Sequence, residues 1–220
     1  MKITTIYNKA SFIDLLISHG ITKGEDIGKI MLAYKIAKDA HRGQYRDGGE
    51  RYFEHPRKMA IMAIEEFGIK DTDLICGIFL HDVGEDTLYI GNIKDGYDVF
   101  VTSASEYLTP KFSQATSTIV INMTKPHIDG KVFSSKSDMM SFYTSNMSTD
   151  VRSIICKQLD RLHNLRSLND LNDEKRAEKN VKETKEVLLP MFEKAYTDDV
   201  WGSTARKINS TIISLLNKMI

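Results

Sequence analysis

The chain has 220 residues, and its 30 Lys plus Arg are matched by 30 Asp plus Glu, so the formal net charge is zero. That balance argues against a surface built to hold DNA or RNA, while the length suits one domain with a substantial core. Met1 to Ile6 contain no apolar leader and no apolar run nears the ~20 residues of a membrane span, so the expectation is a soluble, cytoplasmic protein without a membrane partner. Cys76 and Cys156 lie in apolar runs, which predicts buried, reduced thiols and no disulfide framework.

Ser11 to Ile17 reads as a short amphipathic helix with Ser11 as N-cap and Gly20 past its end. A longer helix is expected from about Glu25 to His41, with Ile27, Ile30, Met31, Tyr34, Ile36 and Ala37 as its apolar set. Asp47-Gly48-Gly49-Glu50 is a turn. Pro56 suits the first turn of a helix running to Phe67, which Gly68 ends. Asp71-Thr72-Asp73 then caps a central apolar helix, Leu74 to Leu80, which runs into His81-Asp82 and on through Glu85-Asp86 to Thr87.

Leu88 to Asp150 is the least regular part, broken by Gly91, Asp95-Gly96 and Pro110. Ser117 to Met123 is β-branched and fits strand or helix by periodicity alone. His127 to Lys136 reads as an exposed loop with His127 a loop residue, and Asp138 to Ser145 as a helix. Val151 to Leu168 is a strong helix on the stripe Val151, Ile154, Ile155, Leu159, Leu162 and Leu165, with Asp160, His163 and Asn164 on an adjacent face. Glu174 to Ala195 is another, with Pro190 as a candidate kink. A C-terminal helix covers about 206–220, amphipathic from Ile208. The sum is an all-α protein of eight or nine helices in one domain, 1–220, with no internal repeat or linker.

If the central helix continues past Leu80, then His81, Asp82, Glu85 and Asp86 fall three and four residues apart and are neighbours on its surface. Three crowded carboxylates repel unless a cation or water relieves them. Other ligand-type residues stand beside predicted helices at His55 and Asp160. Two imidazoles and two carboxylates, His55, His81, Asp82 and Asp160, suit one Mn²⁺, Fe²⁺, Co²⁺ or Zn²⁺ ion. Such an ion lowers the pKa of bound water and makes a nucleophile near neutral pH. Glu85 and Asp86 are then placed to handle that water and its protons.

Four segments occur in order: His41-Arg-Gly-Gln-Tyr-Arg46, Tyr52-Phe-Glu-His55-Pro56, Leu80-His-Asp-Val-Gly-Glu-Asp-Thr87 and Leu159-Asp-Arg-Leu-His-Asn-Leu-Arg166. Together they resemble the HD-type hydrolase domain of the RelA/SpoT family, nearest in size to its small alarmone hydrolases, over about residues 30–190. The resemblance implies an all-helical HD fold and Mn²⁺-dependent removal of the 3′-pyrophosphate of ppGpp or pppGpp, giving GDP or GTP and pyrophosphate. It implies His55, His81, Asp82 and Asp160 as metal ligands, Glu85 and Asp86 as the catalytic acidic pair, Arg46 against the purine and Asn164 lining the nucleotide pocket. His41 and His163 are expected to form supporting hydrogen bonds rather than to ligate.

The chain departs from the family pattern after Arg46, where Asp47 replaces a basic residue and Arg51 is the nearest cation to compensate. Substrates to weigh against ppGpp are NADPH, through a 2′-phosphatase activity, and nucleoside monophosphates. A nucleotide-binding regulator without turnover is the alternative from another class, and the intact acidic pair argues against it. The partner expected is a small nucleotide; the oligomeric state is not legible.

Overall fold

A computed structural model of the chain describes residues 8–126, 135–168 and 174–219. Among them every regular element is helical: α1 (Lys9–Ser18), α2 (Gly24–Ala40), α3 (Glu54–Glu65), α4 (Thr72–Leu80), α5 (Val83–Asp86), α6 (Tyr97–Leu108), α7 (Gln114–Met123), α8 (Lys136–Met147), α9 (Val151–Leu168), α10 (Glu174–Glu183), α11 (Leu189–Phe192) and α12 (Gly202–Leu216). Short 3-10 turns occupy Ile93–Asp95 and Glu193–Thr197. The sole β pairing among the described residues is an isolated antiparallel bridge between Tyr45 and Arg51, across the expected turn.

The fold is organised around α4, whose residues Leu74 to Leu80 are all buried. A helix apolar on every side must be enclosed, and α2, α3, α7 and α9 enclose it. Gly77 lets α7 approach, since a Cβ there would lie 2.6 Å from Ile119 Cγ2. Asp71 starts α4 by accepting the Leu74 N–H at 2.7 Å. Asp73 in its first turn accepts the hydroxyls of Ser113 and Thr116 at 2.6 and 3.0 Å, which fixes the start of α7. Phe12, Tyr34, Phe53 and Phe79 pack ring against ring at the α2 side, with Phe12 edge-on to Phe79 at 5.5 Å. Cys76 and Cys156 are buried free thiols, and burial pushes both pKa values up.

Several expectations needed correction. The N-cap of α1 is Asn8, whose Oδ1 accepts the Ser11 N–H at 3.0 Å, so Ser11 sits inside the first turn. The β-branched run from Ser117 is helical because it faces α4 and α9 and its Asn122 donates to Ser153 Oγ at 3.0 Å. α8 opens earlier than expected, at Lys136, behind the Ser135 cap; the rest of the expected loop, including His127, lies outside the described residues. The helix expected over 174–195 is broken by a π-helical turn, Thr184–Leu188, just ahead of Pro190. Pro190 has no N–H to give and its ring crowds the Glu186 carbonyl, so the chain widens there. The last helix starts earlier than expected, at Gly202, and ends at Leu216.

Candidate active site

The central helix does not run on through the acidic pair. α4 stops at Leu80, and Asp82 (φ −92°, ψ −9°) begins the separate short turn α5. Gly84 lets that turn settle, since a Cβ would meet Phe100 Cζ at 2.7 Å and Thr124 Oγ1 at 2.8 Å. The break turns His81 into the protein and leaves Glu85 and Asp86 at a solvent-facing edge.

His55 from the first turn of α3, His81 from the end of α4 and Asp160 from the middle of α9 converge, each offering a ligand atom within 4.8 Å of the others. His55 Nε2 is 3.2 Å and His81 Nε2 4.0 Å from Asp160 Oδ1. The Asp82 carboxylate reaches the same two nitrogens, 3.7 Å from His55 and 3.1 Å from His81. His55 and His81 are each 1 % exposed and Asp160 is 6 % exposed.

The ring orientations follow from the far nitrogens. His81 Nδ1 lies 2.8 Å from the Ile78 carbonyl, an acceptor, so that nitrogen carries the proton. His81 Nε2 is buried and faces Asp82 Oδ2 at 3.1 Å, so it is the nitrogen on which a second proton or a cation would sit. His55 Nδ1 meets His163 Nδ1 at 2.9 Å. Burial, with His55 and Arg46 adding to it, drives the His163 pKa down to about 2, so His163 stays neutral and accepts from His55. Two rings thus present Nε2 to one point, as metal-ligating histidines do when the far nitrogen is held. Burial opposes charge on His81, but Asp82 and Asp160 outweigh it and raise its pKa to about 9. The reciprocal pull of His81 overcomes burial at Asp82 and holds that carboxyl well below its usual range. This buried His-His-Asp group suits a divalent cation, which would take the lone pair that a proton otherwise occupies.

The Asp160 carboxylate is oriented by α9 itself. Lys157, three residues earlier, donates to Oδ2 at 2.8 Å, and Asn164, four residues later, donates to Oδ1 at 2.6 Å. Asn164 Oδ1 in turn accepts Arg46 Nη2 at 2.6 Å. The two residues expected to handle a nucleotide are therefore bonded to each other and, through Asn164, to the aspartate. Asp47 pairs with Arg176 of α10, which offsets the charge that replaced the basic residue.

Glu85 accepts the Lys125 N–H at 3.3 Å. It keeps an edge open to solvent, yet packing around its carboxyl raises its pKa, with Asp82 adding to the rise. Asp86 is likewise pushed up by burial, against the pull of the Tyr52 hydroxyl. Tyr52 has one hydroxyl proton to share, and its oxygen lies between Asp82 Oδ2, at 3.0 Å, and Asp86 Oδ2. Its ring stacks on His41 at 4.5 Å, and His41 is held by Gln44, which also donates to the Asp86 carbonyl at 3.0 Å. His41 and His163 make hydrogen bonds to Gln44 and to His55. Lys157, Tyr52 and Gln44 were missed as site residues. Lys157 had one legible signal, a cation three residues before Asp160 on the apolar side of its own helix.

A family model described as "HD domain" matches residues 33–194. The chain belongs to the HD domain family. Among curated relatives of this HD protein, a guanosine-3′,5′-bis(diphosphate) 3′-pyrophosphohydrolase of Haemophilus influenzae is 31 % identical over 160 residues, 71 % of this chain and 21 % of the relative. A GTP pyrophosphokinase of Streptomyces coelicolor is 31 % identical over 165 residues, 74 % of this chain and 17 % of the relative. The bifunctional (p)ppGpp synthase/hydrolase SpoT of Escherichia coli is 29 % identical over 172 residues, 76 % of this chain and 22 % of the relative. The HD chain thus matches about a fifth of the length of these relatives. A solved structure of a metazoan orthologue of SpoT, described as hydrolysing ppGpp, shares its fold with a TM-score of 0.56 at 20 % identity, covering 87 % of this chain and 93 % of that one. No described helix is long and apolar enough to cross a membrane.

Proposed function

We propose that this HD protein hydrolyses the 3′-pyrophosphate of ppGpp or pppGpp, releasing GDP or GTP and pyrophosphate, with one divalent cation, Mn²⁺ first, held by His55, His81, Asp82 and Asp160. The observation that carries the reading is continuity: the buried His-His-Asp group is bonded through Asn164 to Arg46 on one side, and Asp82 through Tyr52 to Asp86 on the other. Relatives named for ppGpp hydrolysis support the choice of substrate. The donor set has nitrogen and oxygen and no thiolate, which fits Mn²⁺ among first-row ions.

The cation, when bound, supplies Lewis acidity toward a phosphoryl oxygen and toward water. The protein's own groups do the rest. Arg46 offers a flat guanidinium for a purine face, and Asn164 keeps it at a fixed distance from Asp160. Glu85, with raised proton affinity and an edge open to solvent, takes a proton from the attacking water. Tyr52 holds Asp86 beside it, so the two acids act from fixed positions. Lys157 and Asn164 hold Asp160 in one orientation.

The test is kcat/KM for ppGpp, NADPH and GMP side by side with added Mn²⁺. The alarmone reading requires ppGpp to be the best of the three; if it is not, that reading fails while the cation site stands or falls on metal binding.

A further inference from the structure

The turn that carries Arg46 has a second face. Neighbouring side chains in extended backbone point to opposite sides. Arg46 reaches Asn164, whereas Tyr45 and its bridge partner Arg51 line a separate cavity of about 290 Å³. Arg51 therefore does not stand beside Arg46 as a replacement for the missing cation. Tyr34, Phe53 and His41 contribute buried rings to this cavity.

Four cations line it, Lys38, Arg42, Arg51 and Arg57, against two carboxylates, Asp39 and Glu54, which leaves a local charge of +2. Both carboxylates are already matched. Asp39 takes Arg42 at 2.9 Å and Lys35 at 2.8 Å, and Glu54 takes Arg57. Lys38 and Arg51 form no side-chain hydrogen bond or ion pair among the described residues. His41 is 3 % exposed and its Nδ1 donates to Gln44 Oε1 at 2.7 Å, so its Nε2 is a buried lone-pair acceptor that takes no part in holding an anion. Two unmatched, solvent-exposed cations lining one cavity, whose two carboxylates are already taken, are the features of a site for an anion.

We propose that this cavity binds a small phosphate-type dianion, of about the size of pyrophosphate, separately from the His55–His81–Asp160 group. Its volume falls at the lower edge of small-molecule pockets, roughly 300 Å³, and so suits pyrophosphate or a sugar phosphate better than an intact tetraphosphate nucleotide. The Arg51 guanidinium offers a planar fork that matches phosphate oxygens, and Lys38 a point charge beside it. The cavity shares His41 and Gln44 with the wall that supports Tyr52 and the Asp86 backbone.

The experiment is calorimetric titration of the EDTA-treated full chain with sodium pyrophosphate and, separately, with ribose 5-phosphate. Wild type and Arg46→Ala should bind one equivalent with equal affinity. Lys38→Ala/Arg51→Ala should bind about tenfold more weakly or worse, through loss of charged hydrogen bonds, with an unchanged circular dichroism spectrum. Binding of ribose 5-phosphate alone, with the same dependence on Lys38 and Arg51, would keep the site and make its occupant an organic phosphate. No binding of either anion by wild type, equal binding by the double variant, or loss of binding in Arg46→Ala would each overturn the proposal.

Discussion

Asn164→Ala tests how the cation site and the nucleotide site are joined. The Asn164 side chain makes two bonds of 2.6 Å, one to the buried Asp160 carboxylate and one from the Arg46 guanidinium. A hydrogen bond to a charged group is worth about 1.5–3 kcal/mol. Loss of the first should therefore weaken Mn²⁺ binding about tenfold to a hundredfold, the range seen when a partner of a metal ligand is removed. Loss of the second frees Arg46, so KM for the nucleotide should rise as well. Lys157 still holds Asp160 Oδ2, so the fold should persist. The assays are Mn²⁺ titration calorimetry and steady-state kinetics on wild type, Asn164→Ala, Arg46→Ala and the double variant. Because one amide serves both partners, the KM effects should be non-additive. A Mn²⁺ affinity within about threefold of wild type, less than one weak charged hydrogen bond, would refute the link through Asn164.

Asp160→Ala should lose bound cation and turnover together, and elemental analysis of the purified variant checks it. Glu85→Gln should keep the cation and lower kcat by about 10²- to 10⁴-fold with a smaller change in KM, whereas near-normal turnover would remove Glu85 from the chemistry. His163 gives a pH prediction for the metal-free protein. Its folded pKa, near 2, lies below the reference 6.5, so from pH 6.5 downward the unfolded chain binds the extra proton and stability falls as pH falls. The loss from this group is at most about 1.4 kcal/mol per pH unit. Denaturation midpoints at pH 7.5, 6.5 and 5.5 in EDTA should fall less steeply for His163→Gln than for wild type, and parallel curves would count against a neutral His163.

Much of this protein was written in local pattern. The stripe on Val151–Leu168 gave that helix its observed limits, because one apolar face against the core needs only a 3.6-residue period. The wholly apolar run from Leu74 marked α4 as the enclosed centre for the same reason. His55, His81, Asp82 and Asp160 stood out as nitrogen and oxygen ligand types beside predicted helices, carried as a set by four motifs in order, and the fold brings all four together. Other features depended on contacts distant in sequence. The close packing of Phe100 and Thr124 on Gly84, just past the break after Leu80, brings in residues that no local window contains. Ser117–Met123 fits two periodicities, and only packing between α4 and α9 selects the helix. The tie from Arg46 to Asn164 spans 118 positions and that from Tyr52 to Asp86 spans 34. Hydrogen bonds of that reach leave no periodic trace in the chain, because they depend on where whole helices come to rest against the buried α4.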